Sequence, residues 1–179
     1  MDKGLVQVYT GDGKGKTTAA LGLALRAAGQ GLRVRMVQFL KPPSLDLGER
    51  RALAKQRLAI KIEALDIDWD MEHSLSDPDA RTRARVAISA ALDRLRADIE
   101  AQTCDVLILD EIVFCLAKGL ARMEDIKALI HGKPPCVEVV MTGDGATPEL
   151  LALADLVTEM RNLKHPFETG LGARRGIEY

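Results

Sequence analysis

The stretch VYTGDGKGKTTAALG, residues 8–22, constrains the fold more than any other part of the chain. A β-type run, Leu5 to Thr10, leads into it, and an apolar run, Lys16 to Ala28, leaves it. Between them Gly11, Gly13 and Gly15 alternate with Asp12, Lys14 and Lys16. A strand, a glycine-rich turn and a helix in that order begin a βαβ unit, and such a strand belongs in a parallel sheet. Glycine permits positive φ and close backbone approach. Successive backbone N–H groups in the turn form an anion-binding nest, and the helix start adds the positive end of its dipole. Lys16 then supplies a point charge for phosphate oxygens, and the Thr17 hydroxyl is placed to bind Mg2+. The candidate nucleotide-binding residues are Gly11, Asp12, Gly13, Lys14, Gly15, Lys16, Thr17 and Thr18. The loop departs from the common G-x-x-x-x-G-K-[ST] pattern, because the first glycine should fall at position 10, which is Thr10. Asp12 would repel a phosphate, so it is expected to face outward and shape the turn.

Strand and helix patterns alternate along the rest of the chain, which predicts a parallel α/β sheet. Lys16 to Ala28 is apolar on nearly all sides and should be buried against that sheet. Further strands are expected at Arg33 to Phe39, Ile60 to Leu65, Val106 to Leu109, Val137 to Met141 and Leu156 to Met160. Asp77-Pro78 reads as a cap followed by proline at the first helical position. The helix it opens carries Ala84, Ile88, Ala91, Leu92, Leu95 and Ile99 at helical spacing, so one face is core. Pro148 to Asp155 reads as another helix. With 179 residues and no repeat or linker, a single domain is expected over 1–179, with 161–179 as a loop-rich closing tail.

The second candidate site is DVLILDE, residues 105–111. A carboxylate at the end of a buried parallel strand lies on the ligand side of such sheets. Asp110 or Glu111 can therefore share a metal ion with Thr17. The third is LDIDWDMEHSLSD, residues 65–77, where the sole tryptophan, Trp69, stands among Asp66, Asp68, Asp70 and Glu72. Trp69 either closes a core edge or stacks on a ligand. Buried carboxylates are costly, so the acidic neighbours suggest a segment that stays open until a ligand arrives. The fourth is KHPFETGLGARRGIEY, whose basic residues either reach a triphosphate or a partner or stay in solvent. His73, His131 and His165 are scattered and propose no metal site, and Cys104, Cys115 and Cys136 have no metal-type spacing. A formal net charge of -1 argues against bulk attraction to nucleic acid. The chain has no run of 18 apolar residues for a membrane span and begins without a signal-peptide layout, so the cytoplasm is expected.

Together these pieces resemble the P-loop corrinoid adenosyltransferases, which act on cob(I)alamin or cob(I)yrinic acid a,c-diamide. The likeness rests on VYTGDGKGKTTAALGLALRAAGQG, VQFLK, Gly48-Glu49, DVLILDE, MTGDGATPELLALADLVTEM and KHPFETGLGARRGIEY, in family order over nearly the whole chain. It implies a RecA-like α/β fold with a six-stranded, mostly parallel sheet and helices on both faces. It implies transfer of the 5′-deoxyadenosyl group of MgATP to the Co(I) of a reduced corrinoid, with release of triphosphate, in adenosylcobalamin biosynthesis or salvage. The loop would hold the γ-phosphate, leaving C5′ open to the cobalt nucleophile, so no side chain need act as one. Lys14, Lys16, the loop amides and Mg2+ on Thr17 with Asp110 or Glu111 would stabilise the departing triphosphate. Trp69 would meet the corrin face. A flavoprotein reductant and a homodimer are the expected protein partners. Two positions depart from the family pattern: Ile67 stands where phenylalanine is typical, and Asp144 where an arginine is. The competing readings are a P-loop ATPase or kinase and a nucleotide-binding module without turnover. Triphosphate, ADP or unchanged ATP as the product distinguishes the three.

Overall fold

The computed structural model describes residues 2–70 and 73–178. Six strands appear in it: β1 (Val6–Thr10), β2 (Val34–Gln38), β3 (Ile60–Ala64), β4 (Val106–Asp110), β5 (Glu138–Thr142) and β6 (Leu156–Glu159). The helices are α1 (Lys16–Gly29), α2 (Gly48–Ala54), α3 (Pro78–Glu100), α4 (Ile112–Ala117), α5 (Met123–Gly132) and α6 (Pro148–Leu153), followed by a 3-10 turn at Pro166–Thr169.

The strands form one sheet in the order β3-β2-β4-β5-β1-β6. All of its pairings are parallel, so the carboxyl ends of the strands share one edge of the domain. From β1 the chain crosses to β2 and β3, returns through β4 and β5, and passes β1 to reach β6. The β5 strand is thereby inserted between β1, which carries the glycine-rich loop, and β4, which carries the acids. This is an α/β fold of the RecA-like kind.

The main core lies on one face, where Val8, Leu107, Leu109, Val139 and Met141 meet α3, α4, α5 and α6. Asp77 opens α3, its carboxylate accepting from the Asp79 N–H at 2.9 Å, with Pro78 in the first turn. The expected apolar positions of α3 are all buried, with Ala80 in addition. Each of Ile88, Leu92, Leu95 and Ile99 contributes roughly 1.5–3 kcal/mol by leaving water.

The other face is covered by α1, whose buried positions, Ala20, Ala24 and Ala27, are small enough for the helix to sit close on Met36, Ile108 and Val140. The expected burial of α1 against the sheet holds, while Leu25 on its outer side is 57% exposed. The helix lies outside a single sheet layer, so only one stripe of it is covered. Three helices, α2, α4 and α5, were not expected from the sequence, although α5 carries Glu124 and Asp125 in its first turn and buries Ile126 and Leu129 on one face. The N-terminal residues of α2 and α5, Leu47 and Arg122, make no side-chain cap. The α4 run IVFCLA continues the apolar letters of β4 without a helical period.

Candidate active site

Among the described residues, the buried polar side chains are Thr10, Gln38, Ser74, Asp110, Glu138 and Thr142. Four of them, Thr10, Gln38, Asp110 and Thr142, end strands β1, β2, β4 and β5. Parallel register places Gln38 beside Asp110, while Leu109 opposite Met141 and Tyr9 opposite Thr142 bring the other ends level. Polar groups are buried at such cost that this row marks the sheet edge where ligands of open α/β folds bind.

Asp110 is the centre of the row and is fully buried. Its Oδ1 accepts from the Thr17 hydroxyl at 2.8 Å and from the Thr142 hydroxyl at 2.7 Å. Its Oδ2 accepts from the Lys41 ammonium at 2.7 Å. Lys41 also donates to the Thr17 hydroxyl oxygen at 3.1 Å. The first turn of α1 and the end of β4, 93 residues apart, are thus joined directly. Of the two acids, it is Asp110 that meets Thr17. Glu111 turns away from the strand direction with φ 69, and its N–H donates to the Thr142 hydroxyl. Burial, and then the charge of Asp110, raise the Glu111 carboxyl above its ordinary pKa.

The loop before α1 is shaped by a second segment. Its Gly13 N–H donates to Met160 O at 2.7 Å, and Asp12 Oδ1 accepts from the Asn162 N–H at 2.9 Å. A Cβ on Gly11 or Gly13 would stand 2.4 or 2.7 Å from Met160 O, so the backbone after β6 leaves no room for one. Gly15, at φ 119, turns the chain into α1. The glycine spacing that departs from the common pattern is therefore explained by the chain segment stacked on the loop. Asp12 faces outward, as expected. Lys16 lies across the loop, its ammonium donating to Gly11 O at 2.5 Å and Gly13 O at 2.8 Å. Lys14 and Thr18 are exposed beside it.

Lys41, Gln38, Glu49, Arg50 and Thr142 were not among the sequence candidates. Gln38 donates to Glu49 Oε1 at 3.0 Å and accepts from Arg50 Nε at 2.7 Å. Arg50 also donates to Lys41 O at 2.6 Å and Pro42 O at 2.9 Å. It holds the loop that carries Lys41. The available signal was VQFLK itself: a strand that ends in a polar residue and is followed by a lysine.

Trp69 lies in the core rather than on an exposed face. It is 6% exposed and belongs to the main core, as do Leu65 and Ile67. The expectation of an indole held on an open segment is corrected by simple alternation. Leu65, Ile67 and Trp69 point inward, and Asp66, Asp68 and Asp70 point to water, so the indole is buried without its carboxylates. Glu72 lies outside the described residues. Ile67 occupies a core position that an aliphatic side chain fills. Asp144 is exposed.

The tail returns to the site. Thr17, Thr18 and Leu21, then Lys41 and Glu49, then Gly176 to Glu178 enclose a cavity of about 320 Å3. Arg174 pairs with Glu178 at 3.0 Å, and Arg175 stands 3.9 Å from Asp46. The Glu178 carboxyl is held below its ordinary pKa first by its hydrogen bond from Arg174, and least by the charge of Lys14. Among the described residues, no helix is long and apolar enough to cross a membrane.

A family model described as ATP:corrinoid adenosyltransferase BtuR/CobO/CobP matches residues 2–179. The corrinoid adenosyltransferase of Escherichia coli is 35% identical over 178 residues, covering 99% of this chain and 87% of that protein. Corrinoid adenosyltransferase CobA of Salmonella typhimurium gives the same identity and coverage. The corrinoid adenosyltransferase of Pseudomonas aeruginosa is 31% identical over 180 residues, with 99% and 85% covered. Whole-chain agreement of this kind, on a RecA-like sheet whose ligand edge carries the loop and the buried acid, shows that the chain belongs to the ATP:corrinoid adenosyltransferase family.

Proposed function

We propose that the glycine-rich loop and the cavity beside Lys41 hold ATP with its triphosphate on Gly11 to Thr18, and that the adenosyl group leaves from there to the cobalt of a reduced corrinoid. The observation that carries this reading is the junction of Thr17 with buried Asp110 at the carboxyl edge of the sheet. Co(I) of the substrate attacks C5′; the Co–C bond forms with the cobalt electron pair as the C5′–O bond breaks. That bonding pair departs on the triphosphate. The task of the chain is then to fix C5′ for in-line approach and to stabilise the charge that leaves. Lys16, already centred in the loop, and Lys14 at its rim face that charge, together with loop N–H groups at the start of α1.

Thr17 and Asp110 fit a magnesium ion. A hydroxyl and a carboxylate with hard oxygen donors lie in contact, and Mg2+ takes one or two such protein groups with phosphates and water. When bound it supplies positive charge to the triphosphate. The corrinoid contact through Trp69 that family likeness implies requires residues 65–70 to leave the core. We further propose a homodimer, supported by the exposed Leu156 (40%) and Val157 (43%) on the open edge of β6. A flavoprotein is the proposed reductant, since the cobalt must arrive reduced and flavins deliver single electrons. The free thiols Cys104, Cys115 and Cys136 suit the cytoplasm.

Incubation with MgATP and a chemically reduced corrinoid tests the reaction. Triphosphate and an adenosylated corrinoid in equal amounts are expected. ADP in their place would point to phosphoryl transfer, with the half-buried Glu111 beside Asp110 as a candidate base, and overturn the proposal.

A further inference from the structure

Lys41 is not needed to explain a phosphate loop, yet it touches both groups assigned to the metal. Its ammonium lies 2.7 Å from Asp110 Oδ2 and 3.1 Å from the Thr17 hydroxyl oxygen. The Asp110 side chain is 0% exposed and the Lys41 side chain 23%. A carboxylate buried to that degree requires a counter-charge, and Lys41 provides it. Thr17 gives its proton to Asp110 Oδ1, which leaves its oxygen lone pairs toward Lys41. The ammonium is therefore bound by the oxygen pair that a divalent cation would use.

We propose that Lys41 is the exchangeable cation of the Asp110–Thr17 pair: it yields its place to the divalent cation that arrives with nucleotide, and its ammonium moves to the triphosphate. This rests on the reading above, in which Thr17 and Asp110 hold Mg2+. Two cations cannot share one buried carboxylate and one hydroxyl at contact distance without strong repulsion. The structure provides for the movement. Arg50 fixes the Lys41 backbone through Lys41 O at 2.6 Å and Pro42 O at 2.9 Å. The stem beyond is four methylenes with free rotation. Lys41 also lines the 320 Å3 cavity that opens beside Thr17 and Thr18, so a path into the nucleotide space exists on its own side of the loop. The exchange keeps the site near neutral before binding and places one more positive charge on the leaving group after it. It also makes metal binding depend on nucleotide.

Mn2+ alone is the probe, titrated by electron paramagnetic resonance into the full chain without nucleotide. Wild type and Lys41→Arg should bind it weakly. Lys41→Met should bind it at least about tenfold more tightly, because a unit charge beside the ion is gone. Lys41→Gln, which keeps a polar partner for Asp110, serves if the Met variant does not fold. The same variants should bind inorganic triphosphate with Mn2+ about tenfold more weakly for loss of one charge-assisted contact. Mn2+ affinity in Lys41→Met or Lys41→Gln equal to that of wild type overturns the exchange. If Asp110→Asn still binds Mn2+ with ATP as wild type does, the metal assignment itself falls and takes this proposal with it. Loss of that binding in Asp110→Asn, with no gain in the Lys41 variants, overturns the exchange alone.

Discussion

Gly13→Ala puts one methyl group where the structure has backbone. The new Cβ would stand 2.7 Å from Met160 O and 2.8 Å from the Arg161 carbonyl carbon. Neither atom belongs to a side chain that can rotate away. Ordinary contact requires a separation of roughly 0.7 Å more. Opening that gap stretches the 2.7 Å bond from Gly13 N–H to Met160 O past useful length and pulls on the Asn162 N–H bond to Asp12. A lost backbone bond costs about 1 kcal/mol, and overpacking typically costs about 1–3 kcal/mol. Alanine offsets roughly 0.5 kcal/mol of this by restricting the unfolded chain. The expected loss is about 1.5–3.5 kcal/mol, read by urea denaturation. Trp69, the only tryptophan and a core residue, reports unfolding by its fluorescence. The KM for ATP should rise as well, since the displaced backbone is the proposed phosphate nest. Gly22→Ala is the control: it lies in α1 with nothing within 4 Å of its added Cβ, and helix propensity should stabilise it by roughly 0.5–1 kcal/mol. A Gly13→Ala protein within about 0.5 kcal/mol of wild type, with unchanged KM, would refute the stacking argument.

Lys16→Ala should abolish triphosphate release, and because it also removes the ammonium bonds to Gly11 O and Gly13 O the urea midpoint should fall modestly, by about 1 kcal/mol; turnover at the wild-type rate in saturating MgATP would remove Lys16 from the site. Trp69→Ala should destabilise by about 3–5 kcal/mol as a buried aromatic truncation, followed by circular dichroism. A stable Trp69→Ala protein that has lost rate with corrinoid, at normal ATP affinity, would instead give Trp69 its corrinoid role. The Asp105 carboxyl is held down at about 2 by hydrogen bonds from Arg33, side chain first and backbone second. A depressed acid contributes stability above its unfolded pKa of 3.8 that is lost as pH falls toward 2. Asp105→Asn should therefore be less stable than wild type at neutral pH, by under about 1 kcal/mol since Arg33 is half in solvent. The gap should close in acid, and a gap that widened there would refute the pairing.

The sequence by itself determined the parallel α/β class, the six strands to within a residue or two, the glycine-rich loop at the first strand–helix junction and the acids after the fourth. Each is a local signal: period, cap, turn residue, or an apolar run ending in charge. Family membership was legible for the same reason, in motifs that run in order along the chain. Tertiary structure decided what lies between distant segments. It chose Asp110 over Glu111 as the partner of Thr17, because β4 ends at Asp110 and the chain then turns at φ 69. It brought Lys41, Gln38 and Arg50 into the site, because register sets the end of β2 beside that of β4. It buried Trp69, because alternation along 65–70 sends the indole and the carboxylates to opposite sides. It also gave the glycines at 11 and 13 their reason, in a backbone nearly 150 residues away at Met160. No letter in the loop announces that contact; it exists only once β6 has paired with β1.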